Sequence, residues 1–257
     1  MGAIALWRRL VAEFLGSAML AAIVVGSGIA AQQLSPSDTG LELLENALVT
    51  GAGLVAIILM FASVSGAHYN PVVSFVDWAF GGISLRDAAA YVPAQVTGCI
   101  TGALVANVMF SLSTVSISTH ERATGPHLLS EAIATAGLLL VIFSLARTDR
   151  SSITPAAVGA YITAAYFFCS STSFANPAIT VGRMFSNTFA GIAPTSVLPF
   201  IGAQVVGAVV AVGLIRTLFP GLTPEQAEDI LTPSFESDPS RAPSPDLDTV
   251  PDRGVAP

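Results

Sequence analysis

Long gaps between charged residues constrain this chain more than any other feature. No charge falls between Phe14 and Ser37, a run of 24 residues. Asn46–Val76, Ala88–His120, Ser151–Gly182 and Met184–Ile215 hold 31, 33, 32 and 32 uncharged residues. Ala132–Ala146 adds 15, interrupted toward the N-terminus only by Glu131. About 20 apolar residues in a helix cross the roughly 30 Å hydrocarbon core of a bilayer. The spacing therefore predicts membrane-spanning helices near 7–31, 43–63, 88–110, 128–147, 154–172 and 196–219.

Composition supports this and excludes other classes. Of 257 residues 53% are hydrophobic and 11% charged, with mean hydropathy +0.71, whereas a soluble domain is about a quarter charged. Ten arginines and no lysine stand against 17 acids, a net charge of −7. That sign is wrong for holding phosphates, so no nucleic-acid partner is expected. Two cysteines cannot build a disulfide framework. Met1–Ala31 has Arg8 and Arg9 before an apolar run, but the run is too long for a signal peptide and five more follow; it reads as a retained first helix. Arg8, Arg9, Arg86, Arg147, Arg150 and Arg216 fall on one side of a six-helix arrangement. The positive-inside rule then places both termini in the cytoplasm of a multi-pass inner (plasma) membrane protein.

Residues 220–257 are different material: 8 of 16 prolines, 8 of 17 acids and 2 of 10 arginines. They cannot bury enough apolar surface to offset the entropy of ordering, so a mostly disordered acidic cytoplasmic tail is expected. The membrane core is then 1–219, in halves of about 7–110 and 128–219.

The halves repeat each other. Glu13 and Glu131 open the first and fourth spans, 118 residues apart; Ala94-Gln95-Val96 with Gly98 recurs as Ala203-Gln204-Val205 with Gly207, offset by 109; Asn70-Pro71 recurs as Asn176-Pro177, offset by 106. Three spans per half is odd, so the second half sits inverted in the bilayer. Inverted repeats mark transport folds whose solute site lies near the midplane.

Each Asn-Pro heads a short helix-compatible stretch, Pro71–Phe80 and Pro177–Asn187. Proline suits the first helical position and asparagine can cap from just before it. Ten residues rise about 15 Å, half of the hydrocarbon thickness. Entering from opposite faces, the two would meet and form a seventh pseudo-span. Ser65–Tyr69 and Thr172–Ala175 would supply carbonyls, which only a lumen or protein can satisfy at that depth. Two positive helix ends would face one point. With each Asn oxygen capping its own helix, the amide N–H groups would aim at the lumen. A water accepting from both cannot relay a proton, and a cation meets positive potential.

Ser65-Gly66-Ala67-His68-Tyr69-Asn70-Pro71, Asn176-Pro177-Ala178, the paired Glu13 and Glu131 and the paired Ala-Gln-Val-x-Gly together resemble the major intrinsic protein family, the aquaporins and aquaglyceroporins. The resemblance covers roughly 7–219. It implies an all-α membrane protein with six transmembrane helices and two re-entrant half-helices, a pore in each monomer, a homotetramer, no cofactor, and passive conduction of water or small neutral solutes. Two departures stand out. Val72 replaces the alanine of the first motif, adding bulk where the half-helices are expected to pack tip to tip. Ile179 stands where the family's filter arginine usually follows the second motif, and Arg183 is the nearest arginine, one turn further on. By the same resemblance the remaining filter positions fall on Thr50, Ser173 and either Tyr166 or Ala164, with a wider, less polar mouth implied. Thr180 replaces the aspartate of the glycerol-specific pattern. The run from Phe174 to Arg183, followed by Thr188-Phe189-Ala190-Gly191-Ile192, is similar to a bacterial branch linked to arsenic resistance, which implies neutral metalloid hydroxides such as arsenous acid among the solutes.

Other polar residues admit two readings. Glu13 and Glu131 either accept hydrogen bonds from the re-entrant backbone or couple transport to protons, as in an ion-coupled secondary transporter. His68 either bonds a loop carbonyl or gates the cytoplasmic mouth. Cys169 reads as an exposed thiol near the outer mouth and Cys99 as a packed small hydrophobe. Gly98 and Gly102, four apart, permit close helix approach. His120 and His127 lack partners at metal spacing, so no metal is assigned. No nucleophile–base pair lies at membrane depth, which argues against an intramembrane enzyme.

Overall fold

The structure is a computed structural model describing residues 4–148 and 150–219; the tail expected over 220–257 lies outside the described residues. Eight α-helices occur among them: α1 (Leu6–Leu34), α2 (Thr39–Ser65), α3 (Pro71–Phe80), α4 (Leu85–Met109), α5 (Gly125–Arg147), α6 (Thr154–Phe168), α7 (Pro177–Gly182) and α8 (Pro194–Leu218). No strand is present among the described residues. Short 3₁₀ turns, Ser151–Ile153 and Arg183–Phe185, precede α6 and follow α7. The protein is an all-α membrane protein in which α3 and α7 are the half-helices of two inverted halves.

Local chemistry sets the boundaries. Asp38 caps α2 by accepting from Leu41 N–H at 3.0 Å, and Gly66 ends that helix at φ 82°. Ser84 caps α4 through Asp87 N–H at 3.1 Å. Glycine has no Cβ to clash in that left-handed conformation. Along the bundle, Leu48, Leu59, Leu198 and Val209 stay exposed, as expected where the solvent is lipid.

Five helices are long and apolar enough to cross a membrane: α1, α2, α4, α5 and α8. The fifth expected span, 154–172, is shorter than the sequence suggested. Helix α6 stops at Phe168 after 15 residues, a rise of about 22 Å. Ser170, Ser171, Thr172 and Ser173 follow, residue types that compete with helix for backbone hydrogen bonds. Likewise α3 spans the expected Pro71–Phe80, while α7 ends at Gly182 and passes into a 3₁₀ turn instead of reaching Asn187.

Equivalent helices pack alike. Helix α1 lies mainly against α4 and α2, and α5 mainly against α8 and α6; α2 against α6 joins the halves. At the α1–α4 crossing a Cβ on Gly98 or Gly102 would run into the backbone of Phe14 or Ala18, and a Cβ on Gly207 would meet that of Ala132. Gly51 and Gly159 face each other's carbonyls where α2 meets α6. Small residues let membrane helices approach this closely.

Arg9 ties one end of the bundle together. It reaches Asp87 at 2.9 Å and Tyr91 Oη at 2.7 Å, and Tyr91 donates to Ser65 O at 2.8 Å. Arg216 lies over Phe80, 5.8 Å from the ring centroid. The N-terminal end of α1 and the C-terminal end of α8 are therefore on the same side.

Candidate functional site

The re-entrant loops share one backbone pattern. Ala67 and Tyr69 have φ of 51° and 50°; Ser173 and Ala175, 106 residues later, have 52° and 49°. Non-glycine residues in this region cost about 1–3 kcal/mol each and persist only where the surroundings enforce them. Two buried glutamates do the enforcing. Glu13 accepts from His68 N–H at 3.0 Å, Tyr69 N–H at 2.7 Å, Ser65 Oγ at 2.7 Å and Gln95 Nε2 at 2.8 Å. Glu131 accepts from Phe174 N–H at 2.8 Å, Ala175 N–H at 2.9 Å and Gln204 Nε2 at 2.7 Å.

The peptide is planar and trans, so each N–H turned to a glutamate turns the carbonyl of the preceding residue the opposite way. The carbonyls of Ala67 and His68, and of Ser173 and Phe174, thus face away from the two carboxylates. These four residues border one cavity between the halves, and the two glutamates do not.

Both half-helices end at this cavity. The Asn70 oxygen accepts from Val72 N–H at 3.1 Å, and the Asn176 oxygen from Ala178 N–H at 2.9 Å and Ile179 N–H at 3.3 Å. Pro71 and Pro177 take the first helical positions, where a missing N–H costs nothing. The amides differ from the sequence expectation. One N–H of Asn70 goes to Ala175 O at 2.9 Å, and one of Asn176 to Tyr69 O at 2.8 Å. Each loop is thereby held by the other half's asparagine. An amide carries two N–H groups, and both asparagines border the cavity, so each keeps one N–H outside these crosswise bonds.

Gln95 and Gln204, repeated in the sequence but given no role there, brace this arrangement. Each bridges its glutamate to a half-helix hydroxyl: Gln95 to Ser74 Oγ and Gln204 to Thr180 Oγ1, both at 3.0 Å. Those hydroxyls donate to Asn70 O at 3.2 Å and Asn176 O at 2.7 Å. Polar residues recurring at matched positions in uncharged spans were the signal.

Val72, together with Phe75, borders a groove beside Val205, Ala208, Val209 and Val212 of α8 and is not among the residues lining the central cavity. The crosswise Asn bonds keep ordinary lengths, so its extra methyls do not part the half-helices. His68 bonds side chains and not a loop carbonyl: its Nδ1 is 3.0 Å from Ser74 Oγ and its Nε2 3.4 Å from Asp77 Oδ2. Cys169 is buried, not an exposed thiol.

Thr50, Tyr166, Ser173 and Ile179 all border the cavity. Thr50 Oγ1 and Tyr166 Oη are 3.1 Å apart, whereas Ala164, the other span-five candidate, is exposed on the opposite side of α6. Ser173 Oγ has no protein partner among the described residues. Arg183 borders the same cavity, 2% exposed. Its Nε donates to Ala190 O, and its guanidinium carbon lies 3.4 Å from the Phe174 ring centroid. Ile179 holds the position after the second motif, and Arg183, one turn further along, borders the same cavity.

The loop before α5 closes over this end. Arg122 donates to Gly191 O at 2.7 Å and Phe189 O at 2.9 Å, and burial lowers its affinity for the proton below the ordinary arginine value. Glu121 accepts from Thr195 and Ser196 hydroxyls, which hold its carboxyl below the usual carboxylate range. His127 Nδ1 donates to Arg122 O at 2.7 Å.

These features agree with the comparisons. The sequence profile described as Major intrinsic protein matches residues 1–173. Aquaglyceroporin AqpS of Rhizobium meliloti (strain 1021) is 47% identical over 220 residues, covering 85% of this chain and 93% of its own. The Glycerol uptake facilitator protein of Pseudomonas aeruginosa is 37% identical over 107 residues, 41% of this chain and 37% of its own. The aquaglyceroporin from Plasmodium falciparum superposes with TM-score 0.65 at 23% identity, over 85% of this chain and 98% of its own, a likeness of fold. The chain belongs to the major intrinsic protein family. It is a multi-pass membrane channel and not an enzyme.

Proposed function

We propose that this channel passes small uncharged solutes passively: water, glycerol-like polyols and neutral metalloid hydroxides such as arsenous acid. The observation carrying the reading is the reciprocal Asn70–Ala175 and Asn176–Tyr69 bonding at 2.9 and 2.8 Å, which fixes two half-helix N-termini and two rows of carbonyls around one cavity. A solute hydroxyl can accept from the remaining Asn N–H groups and donate to the carbonyls. A water held as acceptor at two fixed donors cannot pass a proton onward. In this reading Asn70, Pro71, Val72, Asn176, Pro177 and Ala178 form the central segment. Thr50, Tyr166, Ser173 and Ile179 form the filter, and Glu13, Glu131 and His68 support the loops. The Rhizobium meliloti and Pseudomonas aeruginosa relatives are named an aquaglyceroporin and a glycerol uptake facilitator, which supports a polyol pathway. The metalloid solutes rest on the likeness of residues 174–192 to the arsenic-associated branch. The protein sits in the inner (plasma) membrane with both termini cytoplasmic, as a homotetramer.

An ion-coupled transporter using Glu13 and Glu131 is disfavoured by geometry. Neither carboxylate borders the cavity, and each is committed to two loop N–H groups. Stopped-flow light scattering of proteoliposomes, comparing water, glycerol and arsenite in one preparation, tests the reading. Non-saturating flux of all three with no ion gradient is expected. Saturation at low solute, or a requirement for a gradient, overturns it.

A further inference from the structure

The duplicated half-helices carry opposite charges at equivalent places. Asp77 of α3 and Arg183 after α7 are 106 residues apart, the same offset as the two asparagines, and so are His68 and Phe174. At one end of the cavity Asp77 lies 3.4 Å from His68 Nε2. At the other Arg183 stacks on Phe174, its guanidinium carbon 3.4 Å from the ring centroid.

Arg183 is anchored but not neutralised. One of its five N–H groups goes to Ala190 O, and no acid forms an ion pair with it among the described residues. Glu131 bonds Phe174 N–H, Ala175 N–H and Gln204 and does not reach it. The Phe174 platform is itself fixed, its N–H on Glu131 at 2.8 Å and its ring edge-on to Phe200 at 5.2 Å. Arg122, also without an ion-pair partner among the described residues, approaches the same ring at 5.5 Å. Two guanidinium groups without a direct ion pair, with Glu131 acting on both only at longer range, therefore flank one phenyl ring, and of the two Arg183 borders the cavity. In a low-dielectric wall a fixed positive charge repels cations strongly, while its free N–H groups still donate to neutral oxygen solutes.

Resting on the channel reading, we propose that Arg183 is the residue that excludes cations from this pore, acting from one turn beyond Ile179 and held flat by Phe174. The test uses the full chain in proteoliposomes, with glycerol entry followed by light scattering and sodium, methylammonium and chloride entry followed by tracer flux. Arg183→Gln is expected to raise the cation-to-glycerol entry ratio by about tenfold or more, with chloride lagging behind the cations. Arg183→Lys, which keeps the charge, is expected to stay within about threefold of the natural protein. An assembled Arg183→Gln protein as tight to cations as the natural one overturns the proposal. So does a leak that admits chloride and cations equally, which marks a structural hole. If Arg183→Gln fails to assemble, Phe174→Leu removes the platform and keeps the charge; a rise in cation entry supports the proposal and unchanged exclusion overturns it. A natural protein that passes no neutral solute overturns the channel reading itself, and that result appears before any variant is measured.

Discussion

Thr50 of one half and Tyr166 of the other hold their hydroxyl oxygens 3.1 Å apart, one residue beyond the Gly51 contact that lets α2 and α6 touch. The pair ties the two cavity walls together at the proposed filter. Tyr166→Phe keeps the ring and removes the bond. Stability is expected to fall by about 1 kcal/mol, and the freed Thr50 hydroxyl to raise glycerol entry relative to water. Thermal unfolding in detergent and light scattering with both solutes check this; an unchanged ratio places the constriction elsewhere.

Glu13 takes four hydrogen bonds and Glu131 three. Replacing either by glutamine turns one acceptor oxygen into a donor and sets it against N–H or O–H groups that have no other partner. Glu13→Gln is expected to cost about 2–5 kcal/mol, since each stranded buried donor costs about 1–3 kcal/mol. Glu131→Gln is expected to cost less, with one bond fewer at stake. Melting temperatures of the purified variants give the order. Flux per folded molecule should still need no ion gradient.

Ile179→Arg adds a second guanidinium beside Arg183. Crowding and added donors are expected to cut glycerol and arsenite entry by more than about tenfold while water entry persists. The comparison is made in one proteoliposome preparation. A profile like that of the natural protein would show that Ile179 is not at the filter.

Val72→Ala gives the first motif the alanine of the second. Because Val72 faces α8, the half-helix tips should not move and solute ratios should stay as they were. Loss of two methyls from a packed groove is expected to cost about 1–2 kcal/mol. A changed water-to-glycerol ratio would place Val72 in the path instead.

Residues that act through neighbours in sequence were legible; those that act across the fold were not. The half-helix Pro71–Phe80 was readable to its ends because Asn70, Pro71 and Gly81 are local punctuation. The second ended early, where Gly182 and Arg183 enter a 3₁₀ turn, and no local residue announces that. Charge gaps located the spans but overran α6, since serines and threonines carry no charge yet still break a helix. The placement of Val72 beside α8 depends on residues more than 130 positions away. The arrival of Arg183 in the cavity depends on Phe174 and Ala190 being brought under it. The crosswise use of the asparagine amides needed both loops in place, because each amide's partner belongs to the opposite half.

That crossed pattern is self-complementary: what the first half gives the second, it receives in return. Such reciprocity is the property of an isologous two-fold interface. Two copies of a single unit of three spans and one half-helix could close around a common centre in the same way. One unit standing alone would strand an amide and a carbonyl in hydrocarbon. The segment linking α4 to α5 therefore serves as a tether between two partners whose fit is already written into each of them.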